Sequence, residues 1–265
     1  AKTPITIRHL LTHSSGIGSG LTGELIETKH PMCKWKTLEE AVASYPSNPL
    51  EFEPFTGTAY SATHAFDIVA RIAELISGMP YDQFLEKNLF QPLGIVDMTF
   101  SPTAEQWSRV IPMHAYEDGV GKVKDFPANS LVGGIPTTYF CAGGGLASTM
   151  SDYMKFAAML LNYGSVNGKQ LVSEQLIRDM ATPQLPSSVD NGEELWGLAV
   201  RVIAKESYRD LPCGAFSWSG AYGTHFWVDP ANRITAIYMK NSEYDGGARA
   251  VTAKHFEQDV TAALQ

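Results

Sequence analysis

The 265-residue chain is 44% hydrophobic and 18% charged, the balance of a globular protein with a sizeable buried core rather than of a disordered one. Its net charge of −8, with no Lys/Arg block, sets it against nucleic acid and other polyanions as partners. Its three cysteines, Cys33, Cys141 and Cys213, are widely spaced and form neither a CxxC pair nor a disulfide framework, and no apolar run reaches membrane-spanning length.

In chain order, Thr3 to His13 reads as a capped helical turn or two, with Pro4 suited to the first helical position and Ser14-Ser15-Gly16 ending it. Residues 17–36 look irregular, and a short helix is predicted from Leu38 to Tyr45. The turn-rich stretch Glu51–Thr58, whose Glu51 and Glu53 read as solvated, leads into Ala59-Tyr60-Ser61. Ala65, Ile68, Val69, Ile72, Leu75 and Ile76 repeat at helical spacing until Gly78 and Pro80. Tyr81, Phe84, Leu85 and Leu89 make a second amphipathic helix closed by Pro92 and Gly94, and residues 95–140 read mostly as loop. After Gly143-Gly144-Gly145 a helix runs from about Ser151 to Tyr163, with Ser151 as its cap, and a shorter one begins near Ser173.

The last quarter changes to strands. Leu195 to Ile203 reads as one strand with Trp196, Leu198, Val200 and Val202 on a single face, and Ala215–Ser219 and Thr224–Val228 read as two more. Asp229-Pro230-Ala231-Asn232 is a turn into a return strand, Arg233 to Met239. Ala253, Phe256, Val260, Ala263 and Leu264 then form one face of a C-terminal helix. Helices followed by antiparallel strands and a covering helix indicate an α+β fold, with residues 1–190 as a mainly helical lobe and 191–265 as the sheet and its covering helix.

Several chemistries fall away on spacing alone. The glycines at 143–145 do not make GxGxxG, no HExxH occurs, and no serine sits in a G-x-S-x-G elbow. The seven histidines include His9 and His13 four residues apart, but no third ligand accompanies them, so structural hydrogen bonding is expected of both and no metal or other cofactor is implied. Separate free thiols suit a reducing compartment such as the cytoplasm, and no signal peptide is visible.

A set of ordered segments remains. Ile5-Thr6-Ile7-Arg8-His9-Leu10-Leu11-Thr12-His13-Ser14-Ser15-Gly16, Phe52-Glu53-Pro54 through Tyr60-Ser61, and the helix ending Glu74-Leu75-Ile76-Ser77-Gly78 come first. Phe90-Gln91-Pro92-Leu93-Gly94-Ile95, Gly143-Gly144-Gly145-Leu146-Ala147-Ser148-Thr149 with Asp152-Tyr153, and Trp218-Ser219-Gly220-Ala221-Tyr222-Gly223 follow. Together, and in this order, they resemble the serine β-lactamase and penicillin-binding-protein-like superfamily, in its class C β-lactamase and serine esterase branch. The resemblance implies a β-lactamase/transpeptidase-like fold, an antiparallel sheet covered by helices beside a helical lobe, with the active site between them.

In that superfamily a Ser-x-x-Lys helix supplies the nucleophile, one turn of helix placing the amine beside the hydroxyl. No serine of this chain has lysine three residues on. Ser151 and Ser165 have Lys155 and Lys169 four residues on, but read as a cap and a loop serine. The chain also starts at Ala1 without an initiator Met, so the N-terminal strands and the nucleophile are expected to precede it and the chain as it stands to be inactive. The lost helix would bury half a dozen side chains worth roughly 10 kcal/mol in all, comparable with a domain's net stability. The missing segment, or a neighbouring copy, is therefore expected as a partner.

The second box, Tyr-x-Asn, is represented by Tyr60-Ser61-Ala62. The resemblance gives Tyr60 the role of general base and acid, with a pKa pulled down by the nucleophile's lysine, and sets Ser61 beside the substrate. The alternative for Tyr60 is a half-buried structural tyrosine. Ala62 departs from the asparagine that contacts the side chain of penicillins, which favours esters.

The third box is Trp218-Ser219-Gly220, where β-lactamases carry Lys/His-Thr-Gly. By the same resemblance the Ala221 N–H belongs to the oxyanion hole, Ser219 hydrogen-bonds the substrate, and Gly220 lets it approach the backbone. Trp218 offers apolar area instead of a cation, or serves simply as a core aromatic. Tyr139, Phe140 and Tyr222 could wall the pocket or be core, with Tyr222 the nearest of them to the box. The leading expectation is a serine hydrolase forming an acyl-enzyme on a small ester, amide or β-lactam, esterase before lactamase or D-Ala-D-Ala carboxypeptidase. The rival is a non-catalytic scaffold or binding protein of the same fold.

Overall fold

A computed structural model describes residues 1–18, 35–124, 138–205, 211–247 and 250–264. Most of the expected irregular stretch at 17–36, with Cys33, and part of the 95–140 region lie outside the described residues. Contacts divide the chain into two compact units that interleave in sequence. One comprises Ala1–Ser108, Pro127–Ser148 and Leu185–Asn191; the other comprises Arg109–Phe126, Thr149–Gln184 and Gly192–Gln265. No helix among the described residues is long and apolar enough to cross a membrane.

The first unit begins with α1 (Ile7–Leu11), only five residues long. Its cap is Thr6, which shares a capping box with His9, so Pro4 precedes the helix rather than opening it. Helix α2 (Leu38–Ser44) is capped by Thr37 and runs into a 3-10 turn at Tyr45–Ser47. Helix α3 (His64–Ser77) ends at Gly78 in the left-handed conformation, as its sequence anticipates. Its buried residues are His64, Ala65, Asp67 and Ala70, whereas Leu75 and Ile76 at its end are 67% and 82% exposed. The expected apolar stripe is thus covered only along its first half. Helix α4 (Tyr81–Leu85) continues through a π-helical turn at Glu86–Phe90 into α5 (Gln91–Leu93), so Pro92 lies within the final turn and Gly94 alone closes it.

The core of this unit gathers Leu38, Ala41, Tyr45, Ala70, Tyr139 and Cys141, which settles Tyr139 as a core residue. At its centre sits Asp67, fully buried. Its carboxylate accepts from the Tyr45 hydroxyl at 2.9 Å, from the Ala142 N–H at 2.9 Å, and from the Tyr139 hydroxyl. Burial pushes this carboxyl above its ordinary range, and the donors pull it back. One side chain thus ties α3 to the turn after α2 and to the chain entering Gly143.

The second unit holds two departures from the sequence reading before its sheet. The stretch 95–140, read mostly as loop, carries among its described residues a hairpin of β1 (Met113–Glu117) and β2 (Val120–Lys124), while α6 (Ala104–Ser108) within it belongs to the first unit. The hairpin turns at Asp118-Gly119 with φ of 52° and 80°, the Asp-Gly signature of a tight turn. Helix α7 (Met150–Leu161) is capped by Thr149, whose hydroxyl accepts from Asp152 N, so Ser151 lies in the first turn and is not the cap. A two-residue hairpin, β3 (Ser165–Val166) and β4 (Lys169–Gln170), precedes α8 (Glu174–Met180).

The main sheet is antiparallel throughout, in the order β5 (Glu194–Trp196), β6 (Arg201–Ile203), β7 (Phe216–Ser219), β8 (His225–Asp229), β9 (Ile234–Tyr238). The single strand expected from Leu195 to Ile203 is therefore two. Trp196 pairs with Arg201, the Gly197 N–H donates to Val200 O at 3.0 Å, and Ala199 takes a φ of 64°. Continuous alternation of apolar residues through this turn hides it from a period-two reading.

Pairing fixes which side chains share a face. Phe216 stands opposite Val228 and Trp218 opposite Phe226, on the side that α7 covers through the Tyr153–Phe226 ring contact at 5.2 Å. Ser217 stands opposite Trp227 and Ser219 opposite His225, on the side covered by α9 (Val251–Ala262) through Phe256 against Trp227 at 5.4 Å. The inward face of α9 differs from the expected stripe. Ala253 is buried and Phe256 packs inward, Leu264 is 59% exposed, and Glu257 is fully buried.

The Asp67 cluster generates a stability prediction. Asp67→Ala strands two phenols and an amide, each at a penalty of about 1–3 kcal/mol, and is expected to cost about 3 kcal/mol or more in urea unfolding. Tyr139→Phe removes one charge-assisted bond and should cost about 2 kcal/mol. Equal, negligible losses for both would show that the cluster does not hold the unit.

Candidate active site

In the first unit, the Thr12-His13-Ser14-Ser15 segment is almost completely buried. It clamps the chain that leads to Tyr60, with Phe55 N–H donating to Ser14 O at 2.8 Å and Ala59 N–H to His13 O at 3.1 Å. His13 itself has a φ of 54°, an uncommon conformation for a side chain of its size. That turn aims its ring at Tyr60, with centroids 4.8 Å apart, and at Phe66, 5.3 Å away. Its Nδ1 accepts the Ser61 N–H at 3.1 Å. His13 is therefore the residue that positions the second box, and His9 serves the cap of α1, both by hydrogen bonding as the sequence suggests.

Tyr60 is 48% exposed, yet desolvation raises its phenol above the ordinary value. The direction is opposite to that expected of a proton carrier at neutral pH, and a cation beside the hydroxyl is what reverses it. Ser61 is buried, and its hydroxyl accepts from Ala65 N–H at 3.2 Å, so it secures the first turn of α3. Gly143 passes so close to the backbone here that a Cβ would lie 2.2 Å from Ala62 O, which is why this segment needs glycine. Phe140 packs on Phe100, with ring centroids 5.4 Å apart.

In the second unit, Trp218 and Ser219 point to opposite faces of β7. Trp218 is partly exposed and its ring lies 5.4 Å from that of Trp196, over which Arg201 stacks at 3.5 Å. Beyond the strand, Gly220 N–H donates to Thr224 O at 2.8 Å, and Gly220 O accepts from Gly223 N at 2.9 Å and Gly247 N at 2.9 Å. A Cβ on Gly220 would meet Thr224 Oγ1 at 2.3 Å, so the turn itself requires this glycine. Tyr222 is half-buried, and its carbonyl accepts from Ser242 N at 2.9 Å. Ala221 is exposed, and its N–H donates to no described residue.

Ser219 carries the feature that sequence reasoning missed. Its Oγ lies 2.8 Å from His225 Nδ1, and His225 Nε2 lies 2.7 Å from Glu257 Oε1. The side chains of His225 and Glu257 are both inaccessible to solvent. The only hint in the sequence is a glutamate on the otherwise apolar face of the last helix.

Neither near-match to Ser-x-x-Lys has its geometry. Lys155 pairs with Asp152 at 2.7 Å, and Ser165 and Lys169 lie on the two short strands β3 and β4. Cys141 and Cys213 are free thiols, buried and exposed respectively, and no cluster among the described residues suits a metal ion.

A prediction follows for the His13 contact. His13→Phe keeps the ring but removes the acceptor for a buried amide, at a cost of about 1–3 kcal/mol. Hydrogen exchange at the Ser61 amide should quicken by about tenfold for each 1.4 kcal/mol of lost local stability, and unchanged exchange would contradict the role given to Nδ1.

Comparison with known proteins places these features. A family profile described as Beta-lactamase matches residues 1–258. Protein Rv1367c of Mycobacterium tuberculosis is 28% identical over 255 residues, which cover 90% of this chain and 63% of that protein. Esterase EstB of Burkholderia gladioli is 24% identical over 273 residues, 94% of this chain and 67% of the esterase. The structure of EstCE1, described as a hydrolase with promiscuous acyltransferase activity, aligns with a TM-score of 0.79 at 19% identity, over 98% of this chain and 72% of that one. The chain thus spans about three-fifths of the length of Rv1367c. With a family match from Ala1 almost to the end of the last helix, the chain belongs to the β-lactamase family and has its β-lactamase/transpeptidase-like α+β fold.

Proposed function

We propose that this chain is the larger part of a serine hydrolase that works through an acyl-enzyme on a small ester, amide or β-lactam, with esters preferred. The observation that carries the reading is the turn at Gly220, directly after Trp218-Ser219 at the end of β7, where Ala221 is exposed and its N–H donates to no described residue. An amide with no acceptor among the described residues, on a turn fixed by three backbone hydrogen bonds, is a pre-organised donor for an oxyanion. The esterase and hydrolase names among its relatives support the same chemistry.

In this reading the nucleophile comes from a Ser-x-x-Lys segment outside residues 1–265, since none occurs within them. The serine attacks the carbonyl while its proton passes to Tyr60, and the Ala221 N–H takes the developing negative charge. Collapse expels the alcohol or amine, which recovers the proton from Tyr60, and water then repeats the sequence to release the acid. The lysine of the segment supplies the cation that brings the Tyr60 phenol down into working range. Trp218 gives the acyl or alcohol group an apolar wall, worth up to a few kcal/mol. An anionic β-lactam finds no lysine or histidine at this position, and Ala62 offers no amide to its side chain.

A second reading has one observation in its favour. A chain without Ser-x-x-Lys is also what a non-catalytic scaffold of this fold would show. A fluorophosphonate probe separates the two by labelling one serine of the complete protein or none. Tyr60→Phe should lower kcat on p-nitrophenyl butyrate about 10²–10⁴-fold with the fold intact. Faster turnover of nitrocefin than of p-nitrophenyl butyrate would overturn the preference for esters, and an undiminished Tyr60→Phe enzyme would remove the role of the phenol.

A further inference from the structure

Ser219, His225 and Glu257 join the last paired residues of β7 and β8 to the middle of α9. Ser219 stands directly opposite His225 in the ladder, and their side chains meet on the face that α9 covers. Glu257, on that helix, closes the chain of contacts from above. As a carboxylate, Glu257 only accepts hydrogen bonds, so His225 Nε2 carries a hydrogen. In the neutral ring Nδ1 is then an acceptor, and the hydroxyl that points at it is that of Ser219.

The cost of this arrangement argues for a use. Burying a histidine and a glutamate removes both from water, and well-packed apolar side chains of similar size generally hold a core as well or better. The neighbours are already apolar or aromatic, with Trp227, Phe256 and Val260 on the same face. What the polar chain supplies that apolar packing does not is a directional hold on Ser219. Two residues further on is Ala221, exposed and with its N–H donating to no described residue, and the intervening Gly220 is bonded on both its N–H and its carbonyl.

We propose that His225 and Glu257 are positioning residues which, through the Ser219 hydroxyl, hold the end of β7 so that the Ala221 N–H keeps the direction an oxyanion requires. This rests on the reading of Ala221 given above. A released strand end would let that amide swing, and a misplacement of about 1 Å in a catalytic donor costs on the order of a hundredfold in rate. The ground-state substrate depends less on this donor, so the loss should appear in kcat rather than in KM.

The test uses the complete hydrolase with p-nitrophenyl butyrate. Ser219→Ala is expected to lower kcat about tenfold to a hundredfold with KM within about twofold, and Ser219→Thr to restore most of it. Glu257→Leu should lower kcat similarly although it is remote from substrate. The Ser219→Ala/Glu257→Leu double variant should then be no slower than either single, because both break one chain of contacts. A fully apolar replacement, Ser219→Ala with His225→Phe and Glu257→Leu, is expected to melt close to the parent temperature and still be slow. Full kcat in a folded Ser219→Ala or Glu257→Leu variant overturns the proposal, as does strict additivity of the two. Should the parent fail to form an acyl-enzyme, or should Tyr60→Phe be fully active, the underlying function fails instead, so the two failures are distinguishable.

Discussion

A carboxylate with no access to water must be met by donors from its own chain, and both compact units of this protein are arranged around that requirement. In one, Asp67 collects two phenols and a backbone N–H from segments far apart in sequence. In the other, Glu257 reaches across from the last helix to His225 in the sheet. Apolar contacts supply most of the favourable energy in each unit, but they are not directional. The buried carboxylates are directional, each tying together segments that lie far apart in sequence.

The way each motif earns its place differs from what its lettering suggests. The buried Thr12-His13-Ser14-Ser15 run holds the segment that leads to Tyr60. Ser61 and Ser219, both set beside the substrate by resemblance, each have a hydroxyl in one hydrogen bond within the fold, to Ala65 N–H and to His225. Tyr60 and Ala221 are exposed, and Trp218 and Tyr222 are partly so.

Contiguity decided what could be read from the chain alone. His13, Tyr60 and the Trp218–Tyr222 turn belong to short, ordered segments, and the long helix α3 announces itself by apolar period and a terminal glycine. The turn at Gly197–Ala199 was hidden because apolar alternation runs straight through it, and Ala199 gives no warning of its positive φ. The hairpin at Asp118-Gly119 did carry a signal, but strand β2 is exposed along nearly its whole length and offers no alternation to support it. The Ser219–His225–Glu257 chain was beyond reach for another reason. Its last two members are 32 residues apart, and a search for apolar periodicity passes over a buried glutamate.

The tip of that same hairpin has a practical side. Asp118 and Gly119 form a two-residue turn at the end of two short strands, and the lysines of β2 meet Glu117 and Glu243 only in solvated ion pairs. Foreign sequence spliced into an exposed tip of this kind adds little closure entropy and disturbs no packed side chain. The bond between these two residues is thus a natural place to graft an affinity handle or a fluorescent reporter.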